Sequence, residues 1–153
     1  MNIYLIQHGE AEPENVNPER PLTQKGRNDV LKTAEFMEKA GIKVDEVWHS
    51  SKLRAKQTAE IIAKTLGLKD PIEKEGLKPN DPVSPISDQI EEENKNIIIA
   101  SHLPFLSKLS ALLVCGKENQ QVIAFKQGGV VCLEKQESGW IVSWMIVPEV
   151  LCK

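Results

Sequence analysis

The 153-residue sequence contains few cysteines and no long hydrophobic run. Its three cysteines, Cys115, Cys132 and Cys152, are widely spaced and form no CxxC pair. This pattern argues against a disulfide framework or a zinc site, and for a reducing compartment. No apolar stretch approaches the roughly 20 residues that a bilayer span needs, and the N-terminus lacks the basic segment of a signal peptide. We therefore predict a cytoplasmic protein that does not enter the membrane.

The sequence also has no excess of basic residues over acidic residues. The net charge is -3, from 19 basic and 22 acidic residues, so general binding to nucleic acid or to a membrane surface is not expected. Any phosphate recognition must therefore come from a few placed cations. The length and the hydrophobic content of 41% are ordinary for a soluble globular protein, and they predict a single domain over residues 1–153.

Apolar runs and helical spacings alternate along the chain. Buried strands are predicted at residues 2–7, 45–49 and 96–100, a short strand near residue 72, and a C-terminal hairpin at 129–134 and 140–147. Helices are predicted after Thr23 as far as Gly41, from Ser51 to Leu66, over about ten residues from Pro85, and from Pro104 to about Val114. This alternation predicts an α/β fold with helices on both faces of a mostly parallel sheet.

Two of the three histidines, His8 and His102, directly follow predicted buried strands. Ligands of open α/β sheets bind outside the carboxyl ends of the strands, so both histidines are expected at the same rim. Gly9 is expected to let the backbone turn sharply and a ligand approach closely. A structural histidine that merely ends a core strand is the alternative for each residue taken alone.

The chain has only three arginines, which suggests that they are selectively placed. Arg20 lies in the proline-containing loop of residues 9–22, and Arg54 lies in the first turn of the helix after the second strand. The planar guanidinium group suits bidentate phosphate binding, so both are candidates for a phosphate site. A surface salt bridge is the commoner role for an arginine. Arg27, among polar residues of the first helix, is expected to be solvated.

Together these residues resemble the histidine phosphatase superfamily, and most closely its small phosphohistidine phosphatases of the SixA type. The resemblance covers nearly the whole chain in order. The matching motifs are Gln7-His8-Gly9-Glu10, Arg20-Pro21-Leu22-Thr23, Ser50 with Leu53-Arg54-Ala55-Lys56-Gln57-Thr58-Ala59, and Ser101-His102-Leu103-Pro104. The loop Leu77-Lys78-Pro79-Asn80-Asp81-Pro82 and the shortness of the chain also suit SixA-type members.

The resemblance implies a three-layer α/β/α fold of the phosphoglycerate-mutase-like type. It implies that His8 is a nucleophile that forms a phosphohistidine intermediate, and that Arg20, Arg54 and His102 hold the phosphoryl oxygens, with Gly9 also in the substrate site. A neutral imidazole is a good nucleophile near pH 7, and cationic donors stabilise the charge of the transferred group. Neither a metal nor another cofactor is expected.

The sequence departs from the family at Gln7, where an arginine is usual. Gln7 can donate hydrogen bonds in the substrate site, but it brings no charge. The loss of one charged donor could cost roughly 2–4 kcal/mol of transition-state stabilisation, or about 10²–10³ in rate. Ser51 replaces a usual proline, a smaller departure that still lets a helix begin.

Carboxylates and other polar residues near the motifs leave the general acid open. Asp81 and Glu10 are candidates, with Asp81 also a candidate for substrate binding, and a structural or solvated carboxylate is the commoner role for such residues. A phosphohistidine substrate has a good leaving group once protonated, so it needs a dedicated acid less than a phosphoester does. His49, at the end of the second strand, is expected to be structural, and Ser101 is expected to donate a supporting hydrogen bond.

These observations lead to three hypotheses about the function. The first is a signal-transduction hydrolase, a metal-independent phosphatase that acts on a histidine-phosphorylated protein such as a phosphotransfer domain, because a chain without an inserted lid leaves an open site. The second is a phosphatase of small phosphorylated molecules, which would require a working acid such as Asp81. The third, motivated by Gln7, is a regulatory module that binds phosphate with little or no turnover.

Overall fold

A computed structural model describes residues 1–151 of the protein, so Cys152 lies outside the described residues. The centre is one six-stranded sheet with the strand order β3-β2-β4-β1-β5-β6. The first four strands in this order are parallel and the last two pairings are antiparallel, which confirms the mostly parallel sheet. The strands are β1 (Asn2–Gln7), β2 (Glu46–His49), β3 (Ile72–Glu73), β4 (Ile97–Ser101), β5 (Val130–Gln136) and β6 (Gly139–Ile146).

Four α-helices cover the sheet. They are α1 (Gln24–Lys39), α2 (Leu53–Leu66), α3 (Ser84–Glu93) and α4 (Phe105–Cys115), and a 3-10 turn follows at Pro148–Val150. None of the helices within residues 1–151 combines the length and the apolar character that a bilayer crossing requires.

The alternation of side chains along β1 divides the core into two layers. Tyr4 and Ile6 belong to one buried cluster with residues of α1 and α2. Ile3 and Leu5 belong to the other buried cluster, with residues of α3 and α4. Because successive side chains of a strand point to opposite faces, the two helix pairs lie on opposite faces of the sheet. The predicted three-layer arrangement is therefore confirmed.

Local sequence signals set most of the helix boundaries. The Thr23 hydroxyl accepts a hydrogen bond from the Gly26 N–H over 2.9 Å and caps the start of α1, as predicted. Gly67 ends α2 in the left-handed conformation that glycine favours, with φ of 67°. Pro104 corrects one prediction, because it precedes α4 instead of occupying the first helical position.

One narrow face of α1 packs against the sheet. Val30, Ala34 and Met37 are fully buried against the sheet, whereas Leu31 and Ala40 are exposed. The buried positions follow the i, i+4, i+7 pattern of one helix face, and Leu31 lies outside that face.

Candidate active site

His8 and His102 lie side by side at the carboxyl ends of neighbouring parallel strands. In the register of β1 and β4, Gln7 pairs with Ser101, and each histidine is the next residue. The His8 N–H donates to the Ser101 carbonyl oxygen over 3.0 Å, which extends the pairing by one residue. The centroids of the two imidazole rings are 5.0 Å apart, and the rings are tilted by 57°. The expected meeting of the two histidines at one rim is confirmed.

One hydrogen bond fixes which nitrogen of His8 is available for chemistry. His8 Nδ1 lies 2.7 Å from the carbonyl oxygen of Gly9. A carbonyl oxygen can only accept, so Nδ1 must carry the hydrogen and donate it. In the neutral imidazole the lone pair is then on Nε2, which leaves Nε2 as the nucleophilic atom.

The surroundings of His8 keep its imidazole neutral. The side chain is buried, with 7% of the residue exposed. Burial, with a smaller effect from the positive charges of Arg54 and Arg20, lowers the pKa of His8 from 6.5 to about 4. Near pH 7 the Nε2 lone pair is therefore not protonated, as nucleophilic attack requires.

Gly9 is packed tightly against the helices that flank the site. Its N–H donates to the Thr58 hydroxyl oxygen over 3.1 Å, and that hydroxyl donates to the Arg54 carbonyl oxygen over 2.8 Å. A Cβ at Gly9 would lie 2.9 Å from both the Gly26 carbonyl oxygen and a Val30 methyl group. Gly9 does not have a positive φ, so a left-handed backbone is not the reason for a glycine here. The glycine instead permits the close approach of α1.

The two candidate arginines line one surface cavity of about 500 Å³. Arg20, Arg54 and Lys52 contribute its positive charge, and Glu14 and Glu19 also lie along it. Arg20 has a left-handed φ of 53°, and its Nε donates to the Glu12 carbonyl oxygen over 3.0 Å. This bond uses one nitrogen of the guanidinium group and directs the fork of the side chain.

Arg54 is the second residue of α2, and its positive charge contributes to the lowered pKa of both His8 and His102. Its Nε is buried and has no hydrogen-bond partner among the residues that the structure describes. Burial and the charge of Arg20 lower the pKa of the guanidinium group. Two positive groups held near each other favour an anionic ligand, because an anion would relieve both their repulsion and the missing hydrogen bond.

His102 is held by Ser50, a motif residue for which no role was predicted. The Ser50 hydroxyl oxygen lies 2.6 Å from His102 Nε2, and both residues are buried. Burial, then the neighbouring His8 and Arg54, lower the pKa of His102 to about 3. Within residues 1–151, the buried Nδ1 of His102 has no hydrogen-bond partner. The position of Ser50 after β2, which the sheet places next to β4, was the available signal.

Gln7 lies one residue before His8, where the family has an arginine. Its side chain is half-buried, and its amide oxygen is buried without a hydrogen-bond partner in the described part of the chain. A 180° rotation of the amide exchanges the oxygen and the nitrogen, so Gln7 can present either an acceptor or a donor. Its register partner Ser101 donates to the Leu77 carbonyl oxygen over 2.6 Å, in the supporting role predicted for it.

The remaining candidates have structural partners. The Asp81 carboxylate accepts from the Lys78 N–H over 2.9 Å within its own loop. The Glu10 carboxylate accepts from the Thr23 hydroxyl over 2.7 Å at the start of α1. His49 Nδ1 lies 2.8 Å from the Ser50 carbonyl oxygen. The structure therefore brings together His8, His102, Arg20 and Arg54, while the Asp81 carboxylate closes a turn.

This arrangement combines a neutral nucleophilic imidazole with cationic and N–H donors. Such a site can accept a tetrahedral oxyanion and attack its central atom. Among residues 1–151, no three histidine, cysteine or acidic side chains converge into a set of metal ligands.

The chain is similar in sequence and in fold to known proteins. Residues 3–79 match the profile of the Histidine phosphatase superfamily (branch 1). The chain is 26% identical to phosphohistidine phosphatase SixA of Escherichia coli K12 over 154 residues, which cover 97% of this chain and 94% of SixA. A solved structure of the protein histidine phosphatase SixA with tungstate has a TM-score of 0.86 at 24% identity and covers 97% of both chains. The alpha-ribazole phosphatase of Shigella flexneri has a TM-score of 0.75 at 18% identity, again over 97% of both chains.

These matches confirm the phosphoglycerate-mutase-like fold and the resemblance to SixA-type proteins. The profile and the similarity to phosphohistidine phosphatase SixA support phosphatase activity as the general function. Because the matched profile spans half of the sequence, including His8, Arg20 and Arg54, the chain belongs to the histidine phosphatase superfamily, branch 1.

Proposed function

We propose that the protein is a cytoplasmic phosphatase that uses His8 as its nucleophile and removes the phosphoryl group from a phosphohistidine of another protein. The observation that carries the proposal is the bond between His8 Nδ1 and the Gly9 carbonyl oxygen. It leaves Nε2 with its lone pair beside Arg20, Arg54 and His102. The similarity to SixA supports phosphohistidine as the substrate group.

In the first step, His8 Nε2 attacks the phosphorus atom of the substrate phosphohistidine. The new N–P bond forms on Nε2, and the N–P bond of the substrate breaks. The substrate imidazole, which carries a proton on its other nitrogen, departs as a neutral imidazole. The phosphoryl group passes between two chemically equivalent imidazoles, so no proton transfer is needed in this step.

In the second step, water attacks the phosphorus atom of phosphorylated His8. The bond between phosphorus and Nε2 breaks, and both protons of the water leave with the product as dihydrogen phosphate. His8 returns to its neutral form with the hydrogen still on Nδ1. Arg20 and Arg54 stabilise the negative charge on the equatorial oxygens in both steps.

The state of the carboxylates favours phosphohistidine over a phosphoester. An alkoxide leaving group needs an acid, and the two candidate acids, Asp81 and Glu10, are already bound to Lys78 and Thr23. In the step described above, a phosphohistidine substrate needs no acid from the protein. Hydrolysis of small phosphoesters is the second candidate function, supported by the fold likeness to the alpha-ribazole phosphatase.

Phosphate binding with little turnover is the third candidate, and it rests on Gln7. The lost charge lowers transition-state stabilisation, while the remaining cations still favour phosphate. This candidate predicts affinity for inorganic phosphate without phosphate release from any substrate.

One experiment separates the three functions. The protein is incubated with a histidine-phosphorylated phosphotransfer domain or with a panel of small phosphoesters, each with and without EDTA. Phosphate release and base-stable, acid-labile phosphate on the protein are then measured, with His8→Asn as the control. We expect release from the phosphoprotein, label on His8 and no effect of EDTA. Release from esters alone would overturn the phosphoprotein assignment, and phosphate binding without release would favour the third function.

A further inference from the structure

Ser50 joins two parts of the site through one hydroxyl group. The residue is fully buried at the end of β2. Its Oγ lies 2.6 Å from His102 Nε2, and it accepts a hydrogen bond from the Lys52 N–H over 3.3 Å. Lys52 immediately precedes α2, whose second residue is Arg54. The hydroxyl therefore connects His102 with the start of the helix that carries Arg54.

Counting hydrogens at this hydroxyl distinguishes the two neutral forms of His102. The Lys52 N–H can only donate, so it occupies one lone pair of the Ser50 oxygen. If the Ser50 hydrogen is donated to His102 Nε2, both short contacts are hydrogen bonds and the ring hydrogen is on Nδ1. If Nε2 instead carries the hydrogen, Ser50 accepts twice, and its own hydrogen has no acceptor among the described residues.

The second form is also unfavourable for binding an anion. In this form Nδ1 of His102 carries no hydrogen. It is therefore a hydrogen-bond acceptor that faces any ligand on that side of the ring. That nitrogen is buried and without a partner within residues 1–151, and the ring lies 5.0 Å from that of His8. A lone pair facing a phosphoryl oxygen is repulsive, whereas an N–H facing it is a donor.

We propose that Ser50 is a positioning residue that holds His102 as the neutral form protonated on Nδ1, so that Nδ1–H donates to an oxygen of the phosphoryl group. The inference deepens the proposed function and depends on it for the identity of the ligand. The tautomer itself depends only on the contacts of Ser50. Ser50 thus supports His102 in the way that the Gly9 carbonyl oxygen supports His8, although the two bonds select opposite chemical roles. His8 presents a lone pair, and His102 presents a hydrogen.

The test reads the tautomer directly by long-range ¹H–¹⁵N NMR of ¹⁵N-histidine-labelled protein. His102 is assigned by comparison with His102→Gln. In the unmodified chain we expect hydrogen on Nδ1 of both His8 and His102. In Ser50→Ala we expect the His102 signals to move toward the form with hydrogen on Nε2, while the His8 signals keep their pattern. Ser50→Thr retains a hydroxyl and is expected to retain the Nδ1–H form.

Phosphate affinity provides the second measurement, with inorganic phosphate as the probe. Loss of one oriented donor should weaken phosphate binding about tenfold in Ser50→Ala, and catalytic turnover of the best substrate by a similar factor. Ser110→Ala is the matched control, because Ser110 is also fully buried and its hydroxyl bonds only to the Ser107 carbonyl oxygen within the described chain. It should change neither the tautomer nor the affinity.

The outcomes separate this inference from the proposed function. Finding His102 protonated on Nε2 in the unmodified chain would overturn the inference, whether or not the protein hydrolyses phosphohistidine. Unchanged tautomer and phosphate affinity in Ser50→Ala would overturn it as well. An Nδ1–H tautomer that depends on Ser50, found in a chain without turnover, would support the inference and count against the proposed phosphatase. If Ser50→Ala does not fold, the unmodified chain and Ser50→Thr still decide the tautomer.

Discussion

Gly9, in the loop that follows β1, and Gly26, in the first turn of α1, pack backbone against backbone. A Cβ on Gly9 would lie 2.9 Å from the Gly26 carbonyl oxygen, and a Cβ on Gly26 would overlap the carbonyl oxygen of Glu10. The same Glu10 carbonyl oxygen accepts a backbone hydrogen bond from Thr23 over 3.0 Å. The start of α1 is therefore fixed directly against the residue that orients His8.

Gly26→Ala should lower both stability and activity. The added methyl group meets backbone atoms, which cannot move aside as a flexible side chain can, so we expect a loss of about 1–3 kcal/mol in the free energy of unfolding. The displaced loop should also lower kcat. Urea unfolding and steady-state kinetics measure the two effects, and Glu35→Ala, at an exposed site of the same helix, is the control. Wild-type values for Gly26→Ala would contradict the close packing.

Thr58→Val should loosen the support of His8 while keeping the shape of the buried side chain. The substitution removes the acceptor of the Gly9 N–H and the donor to the Arg54 carbonyl oxygen. A buried N–H without a partner costs about 1–3 kcal/mol, and kcat should fall because the Gly9 carbonyl oxygen holds His8, the proposed nucleophile. Chemical unfolding and kinetics test this, with Thr58→Ser expected to recover most of the loss. Equal effects of valine and serine would show that the hydroxyl is not what matters.

Gln7→Arg should raise activity if the missing charge limits the rate. The arginine restores a charged donor, and kcat/KM should increase about 10- to 100-fold. Gln7→Met is the matched control, since it keeps the length of the side chain but removes its polar groups, and it should lower kcat/KM. No gain with arginine, measured on the phosphoprotein substrate, would mean that the pocket is built around the glutamine amide.

Arg54→Lys should lower kcat/KM by about 10²-fold, although the charge is preserved. Lysine lacks the planar fork that binds two phosphoryl oxygens at once, and it lacks the buried Nε that has no partner within residues 1–151. Arg27→Lys is the control, because Arg27 is exposed on α1. Inhibition by inorganic phosphate should weaken in parallel for Arg54→Lys only. Similar kinetics in the two variants would exclude a bidentate role for Arg54.

Acid should destabilise the protein through the two site histidines. In the folded state their pKa values are about 4 for His8 and about 3 for His102, below the ordinary value of 6.5. The unfolded chain therefore takes up protons below pH 6.5 that the folded chain does not. The stabilisation is complete above pH 6.5 and is lost as the pH falls toward the folded pKa values, by up to about 1.4 kcal/mol per pH unit for each histidine.

Urea unfolding at several pH values between 6.5 and 4.5 measures this loss. His8→Gln removes one of the two groups, so the pH dependence of its unfolding free energy should be shallower than that of the unmodified chain. The NMR titration of His8 should give its pKa directly. A His8 pKa near 6.5, or an unchanged slope in His8→Gln, would contradict the lowered pKa of His8.

Much of the fold can be predicted from short stretches of sequence. The apolar run before His8 forms β1, Thr23 caps α1, and Gly67 ends α2, because these outcomes depend on side-chain alternation, a nearby hydroxyl and a left-handed backbone. The meeting of His8 and His102 was also predictable, since both follow strands that are parallel and the carboxyl ends of such strands share one rim.

Local sequence patterns were thus enough to predict the elements, the α/β class and the residues at the rim. How those residues support one another depends on contacts between distant parts of the chain. The bond between Ser50 and His102 spans 52 residues and exists because β2 lies next to β4 in the sheet. The bond between Gly9 and Thr58 spans 49 residues and exists because α2 packs behind β1. Such contacts depend on strand order and helix placement, which are set by packing of the whole chain and leave no local pattern.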